Sequence, residues 1–79
     1  MNTENILTII HWQDEENVNH FGCRGIGEDY RRFYEWLRTT SYKCTSEDWP
    51  WDYFIFTSPE DSVKLHEHWG MYIMHDDNR

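Results

Sequence analysis

Five histidines, two cysteines and fifteen carboxylates are the groups in this 79-residue chain that could carry chemistry, and their spacing decides how far each goes. His20 and Cys23 stand in H-x-x-C spacing, and Cys44, His66, His68 and His75 could complete a zinc set of nitrogen and sulfur ligands. On a helix, however, His66 and His68 point about 200° apart. Neither a C-x-x-C nor an H-x-x-x-H pair occurs. A thiolate nucleophile at Cys23 or Cys44 needs a histidine base beside it, which nothing in the spacing specifies. The runs Asp14-Glu15-Glu16 and Asp76-Asp77 have no apolar wall to perturb them and read as solvated charge rather than as acid/base pairs. The chain therefore offers no catalytic residue, no metal site and no cofactor, and the expectation is a protein that is not an enzyme.

Two further stretches invite a chemical reading. GCRGIG, residues 22–27, precedes a helix as a phosphate loop would, but it lacks G-x-G-x-x-G spacing and a following Lys-Ser/Thr. Glu28 and Asp29 would also stand where an anion should bind. The stretch is expected to be a flexible lead-in to the helix. More informative is EDWPWD, residues 47–52, where Trp49 and Trp51 surround Pro50 and Glu47, Asp48 and Asp52 flank them. A stiff backbone carrying tryptophan suits a binding anchor. The same rings could stack on nucleic-acid bases, but the acids would repel phosphates. At least one of the two tryptophans is expected to fold back over the core edge, leaving the other as the anchor.

The elements that must position these residues follow from periodicity. Residues 53–74 (YFIFTSPEDSVKLHEHWGMYIM) read as a strand, a helix and a second strand. Ser58 is the expected N-cap, Pro59 the first helical residue, and Asp61 the partner in a capping box. Gly70 is expected to stop this helix in a left-handed conformation. Leu65 and Trp69 share a face, with Ser62 and His66, and would anchor the helix to a sheet. Residues 28–40 form the clearest helix, with Tyr30, Phe33, Tyr34 and Leu37 in one stripe and Trp36 off its centre, either a boundary residue or an exposed aromatic. Residues 5–12 (NILTIIHW) are apolar on both faces and predict a central strand. Residues 13–17 are an acidic turn, and 18–23 a second hairpin strand that the glycines at 22, 25 and 27 end. Residues 41–52 read as a loop and 75–79 as a frayed tail. The outcome is a single α+β domain over 1–79, a two-layer sandwich with a small mixed sheet of three to four strands and two helices on one face, loosely ferredoxin-like.

At this length a single core is marginal, and the 18% aromatic content is expected to supply most of it. A net charge of −8 argues against direct nucleic-acid or anionic-membrane binding and toward a basic partner. No apolar run approaches a membrane span, the pattern of a signal peptide is absent, and two cysteines are too few for a disulfide framework, so a cytoplasmic location is expected.

Residues 49–70, WPWDYFIFTSPEDSVKLHEHWG, resemble a pattern in small acidic accessory proteins of tailed bacteriophages: a Trp-rich link, an aromatic strand, then an acid-capped helix ending in an aromatic residue. The resemblance implies a setting of infection, host takeover or defence evasion, in the host cell cytoplasm. The expected function is then a non-enzymatic inhibitor or anti-defence protein. It would bind a host protein with a basic surface through Glu47, Asp48, Trp49, Trp51 and Asp52 together with Asp14, Glu15 and Glu16, with nucleic-acid mimicry as one version. A small-ligand or nucleotide module using the sheet–helix crevice is the alternative, and a homodimer is left open.

Overall fold

Apolar residues on both faces place the first strand, β1 (Ile6–Gln13), inside the sheet, between β2 (Asn19–Ile26) and β5 (Ile73–Met74). The computed structural model describes residues 4–74. After β2 come α1 (Glu28–Leu37), β3 (Tyr42–Asp48), β4 (Trp51–Phe56) and α2 (Pro59–Trp69), and a single 3₁₀ turn, Gly70–Tyr72, leads into β5. The sheet order is β3-β4-β2-β1-β5, antiparallel throughout except for the parallel β1–β5 pair. The class is α+β with a mixed sheet. It has five strands where the sequence suggests three to four.

The additional strand is β3. The segment read as a loop at 41–52 is a β-hairpin, paired from Tyr42↔Phe56 to Asp48↔Trp51 with a bulge between Cys44 and Ser46. Its residues from Lys43 to Asp48 are all exposed, so no burial pattern marks it; pairing with β4 alone holds it extended. The glycines, likewise, do not end β2. Gly22 and Gly25 lie within it because close neighbours need the space: a Cβ on Gly22 would sit 2.9 Å from the Tyr53 ring, and one on Gly25 2.2 Å from the Ile6 carbonyl oxygen. Only Gly27, at φ 98°, uses glycine's conformational freedom, as it turns the chain into α1.

The start and end of α2 and the end of α1 differ from expectation. Ser58 has the extended backbone of an N-cap but makes no side-chain cap hydrogen bond. The Asp61 carboxylate does not reach back to it. Instead Oδ2 accepts from the backbone N–H and the hydroxyl of Ser41, at 2.9 and 2.6 Å, and the Ser41 Oγ accepts the Ser58 N–H at 2.9 Å. At the other end Gly70 keeps a right-handed conformation (φ −57°), so α2 passes into the 3₁₀ turn rather than stopping at a left-handed glycine. Helix α1 ends at Leu37, three residues before the expected 40, where the Thr39 and Thr40 hydroxyls bond the Trp36 and Leu37 carbonyls.

Both helices cover one face of the sheet. Leu7 and Ile9 of β1, Phe21 and Cys23 of β2, Phe54 of β4 and Ile73 of β5 meet Phe33, Leu37 and Leu65 in a core with no buried charge among the described residues. Aliphatic and sulfur side chains thus share the centre with three phenylalanines. Most of the remaining aromatics, among them Trp36, Phe56 and Trp69, form a half-buried girdle around it. Leu65 is buried in the core against the sheet, as expected, whereas the Trp69 ring, expected there too, stands edge-on to Phe33 of α1 at 5.1 Å and ties α2 to α1. The opposite face carries no helix among the described residues. It presents Ile10 and Trp12 of β1, His20 of β2 and Tyr53 of β4, with the Trp12 ring stacked on His20 at 5.3 Å and edge-on to Tyr53 at 5.7 Å. The expected tail at 75–79, with His75, Asp76 and Asp77, lies outside the described residues. No helix among the described residues is long and apolar enough to cross a membrane.

Candidate interaction site

The β3–β4 register makes Trp49–Pro50 the two-residue tip of a hairpin, with Asp48 opposite Trp51 and Glu47 opposite Asp52. Trp49 is 92% exposed at this tip, whereas Trp51 is half-buried beneath Arg24, whose guanidinium carbon lies 5.5 Å from the ring centroid. One tryptophan therefore packs and the other stands free. Strand alternation sends Glu47 and Asp52 toward the helix layer and Asp48 toward the uncovered face.

Asp52 ties this tip to α1. Its Oδ2 accepts the hydroxyls of Tyr34 at 2.6 Å and Tyr30 at 3.2 Å, and the Tyr34 oxygen in turn accepts the Cys23 thiol at 3.6 Å. Burial, reinforced by the Asp52 carboxylate, pushes the Tyr34 phenol far above its ordinary value, and burial raises Tyr30 too. Both hydroxyls stay protonated as donors. Burial also pushes the Cys23 thiol up to about 11, which makes it a poor nucleophile at neutral pH. This network belongs to the packing of the hairpin, and nothing in the sequence spacing of residues 23, 30, 34 and 52 announces it. The signal available was the α1 stripe, whose two tyrosines need polar partners once they are half-buried.

Two concavities flank the tip. A cleft of about 660 Å³ lies where β2 runs past the start of β4, lined by Ile6, Arg24, Ile26, Tyr30, Trp49 and Asp52 among others. A smaller one of about 200 Å³ lies on the helix side, between Tyr34, Tyr42, Cys44, Glu47, Asp52 and Phe54.

The sequence-predicted residues Glu47, Asp48, Trp49, Trp51 and Asp52 are thus brought together, but Asp14, Glu15 and Glu16 are not with them. They form the β1–β2 turn at the other end of the strands, about 20 Å away by strand rise from the level of Arg24 to beyond Asn19. There Asp14 builds the turn itself. Its Oδ1 accepts the N–H groups of Glu16 at 2.8 Å and Val18 at 3.0 Å, and its Oδ2 lies 2.8 Å from His20 Nε2. The His20 hydrogen bond, and then the Val18 amide, hold the Asp14 carboxyl below the usual carboxylate range. Glu60 and Asp61 lie at that same end, while Glu28 and Asp29 lie at the Trp49 end, so the loop acids divide into two groups.

His20 and Cys23 point to opposite faces of β2, which breaks the H-x-x-C pair, and among the described residues no group of three His, Cys, Asp or Glu side chains could hold a metal ion. Comparison of the chain with family models, with curated proteins and with solved structures gives no match in any of the three.

Proposed function

We propose that the chain is a non-enzymatic inhibitor or anti-defence protein of the tailed-phage type. In this reading it acts in the host cell cytoplasm and docks on a basic surface of a host protein through the β3–β4 hairpin tip. The observation that carries this is Trp49, a large apolar side chain 92% exposed at a two-residue turn and edged by Glu47 and Asp48 on a chain of net charge −8. An exposed aromatic on a braced turn, among carboxylates, suits a hot-spot anchor with electrostatic steering around it. Nucleic-acid mimicry across the whole molecule asks one basic groove to reach both groups of acids. A contact made by the tip needs only the group at the Trp49 end, and that is the contact we assign. The underlying architecture is, in our reading, a ferredoxin-like variant: β2-α1-β3-β4-α2-β5 has the β-α-β-β-α-β order, with β1 inserted between β2 and β5.

The second reading, a small-ligand module in the sheet–helix crevice, has the 200 Å³ pocket in its favour. Its two carboxylates, Glu47 and Asp52, suit a cationic ligand and repel a nucleotide.

The experiment is capture of the partner from host lysate, followed by kinetics on the purified pair. Trp49→Ala is expected to shorten the residence time at a cost of about 2 kcal/mol or more, with association rate little changed. Glu47→Lys with Asp48→Lys moves the net charge from −8 to −4, two units per reversal, and is expected to slow association and weaken its salt dependence. A captured partner whose on- and off-rates ignore both variants refutes the site.

A further inference from the structure

The uncovered face of the sheet is an apolar surface on an otherwise strongly charged molecule, and we propose that it is the interface of a homodimer, sheet packed on sheet. Ile10, Trp12 and Tyr53 lie at its centre, Ile55 beside them by alternation, and Ile26 and Met74 at its margins, 53% and 60% exposed. This composition is what aligned sheet packing buries between two layers.

Charge selects the occupant. The chain carries fifteen carboxylates, yet of the three within strands Glu47 and Asp52 turn to the helix side and only Asp48, at a corner, belongs to this face. Its cations are Arg24 and Lys43. A basic protein would meet those cations before any carboxylate. A single-stranded nucleic acid could stack on Trp12 and Tyr53, but two cations against a net −8, with acids in the turns at both ends of the strands, leave its phosphates unneutralised. A second copy brings an equally charge-poor face and keeps the two sets of acids in solvent.

Shape and size agree. The Tyr53 ring lies over Gly22, and beside it runs a groove of about 440 Å³ lined by Ile10, Trp12, His20, Thr45, Ser46 and Tyr53. A ridge next to a groove is what a two-fold axis needs to make one face complementary to itself. Strands of 8, 8, 7, 6 and 2 residues, about 4.8 Å apart and rising about 3.3 Å per residue, span roughly 500 Å² per copy. Two copies bury roughly 1,000 Å², the threshold a specific interface has to clear.

The test is light scattering and sedimentation of the full chain over a range of protein and salt concentrations. The expected species has twice the 9.8 kDa chain mass, and its dissociation constant falls as salt rises, because salt screens the repulsion between two acidic copies. Ile10→Lys is expected to halve the mass while circular dichroism stays native, and Met74→Lys to raise the dissociation constant at least tenfold. Met71→Lys, 86% exposed in the 3₁₀ turn on the helix side, leaves the dimer as it was. If Ile10→Lys loses its native spectrum, Met74→Lys alone decides. A monomer at every concentration up to the solubility limit overturns the proposal. So does a dimer indifferent to Met74→Lys, or a monomer whose tryptophan fluorescence is quenched by a single-stranded oligothymidylate.

Discussion

The start of α2 can be tested by moving a hydroxyl. Ser58 occupies the N-cap position, where loss of a capping side chain ordinarily costs about 0.5–2 kcal/mol. Here, however, its hydroxyl makes no cap hydrogen bond, and Ser41, seventeen residues earlier, does the work: it donates to Asp61 and accepts the Ser58 N–H. Ser58→Ala is therefore expected to cost less than about 0.5 kcal/mol, the scale of a surface change that touches nothing. Ser41→Ala removes one charge-assisted and one neutral hydrogen bond, both half-buried, for about 1–2 kcal/mol. In a domain this small that lowers the midpoint by roughly 4–16 °C. Thermal unfolding followed by circular dichroism reads both variants. The double variant Ser41→Ala with Asp61→Ala should cost about 1 kcal/mol less than the sum of the single ones, since they share a bond. A large loss with Ser58→Ala and none with Ser41→Ala refutes the assignment of the cap to β3's approach.

Three other outcomes are expected. Cys44→Ser leaves the melting curve in place, because the thiol is exposed, whereas Cys23→Ser puts a more polar hydroxyl in the core and costs about 1–3 kcal/mol in a denaturant titration. Gly25→Ala brings a Cβ against the Ile6 carbonyl and costs about 3 kcal/mol by the same measurement. On the acid side, Asp14 and Asp61 are both held below their ordinary value of 3.8, Asp14 chiefly by His20 and Asp61 by the Ser41 hydroxyl and amide. Depressed carboxyls stabilise the folded state above the unfolded value and lose that contribution as pH falls through the folded one. The midpoint should accordingly hold from pH 7 to about 5 and fall below about 4, with Asp61→Asn flattening part of the fall.

The parts of the fold legible in the sequence are those where burial writes a period. The stripe Tyr30, Phe33, Tyr34, Leu37 turned one side of α1 inward, and the two-faced apolar run of β1 put it inside the sheet. β3 has no such mark, because an exposed edge strand is specified by its partner's backbone rather than by its own side chains. Gly22 and Gly25 misled for a related reason. Glycine in a strand suggests a break until the ring or carbonyl that crosses it is known. Of the candidate site, the Trp-Pro-Trp stretch and its acids were visible as a local run. Their separation from Asp14, Glu15 and Glu16 depends on strand direction, which no local pattern encodes.

The bonds from Asp52 to Tyr34 and Tyr30 have a consequence for the thermodynamics of any contact made at Trp49. A free turn must be ordered when it binds, and that ordering opposes association. This turn is already clamped, since the residue two after Pro50 is fixed to the body of α1. Association through it should cost little conformational entropy beyond the one indole, and Tyr34→Phe with Tyr30→Phe should restore the cost. Calorimetry on a partner complex would register this as a less favourable entropy of binding, with every surface residue that touches the partner unchanged.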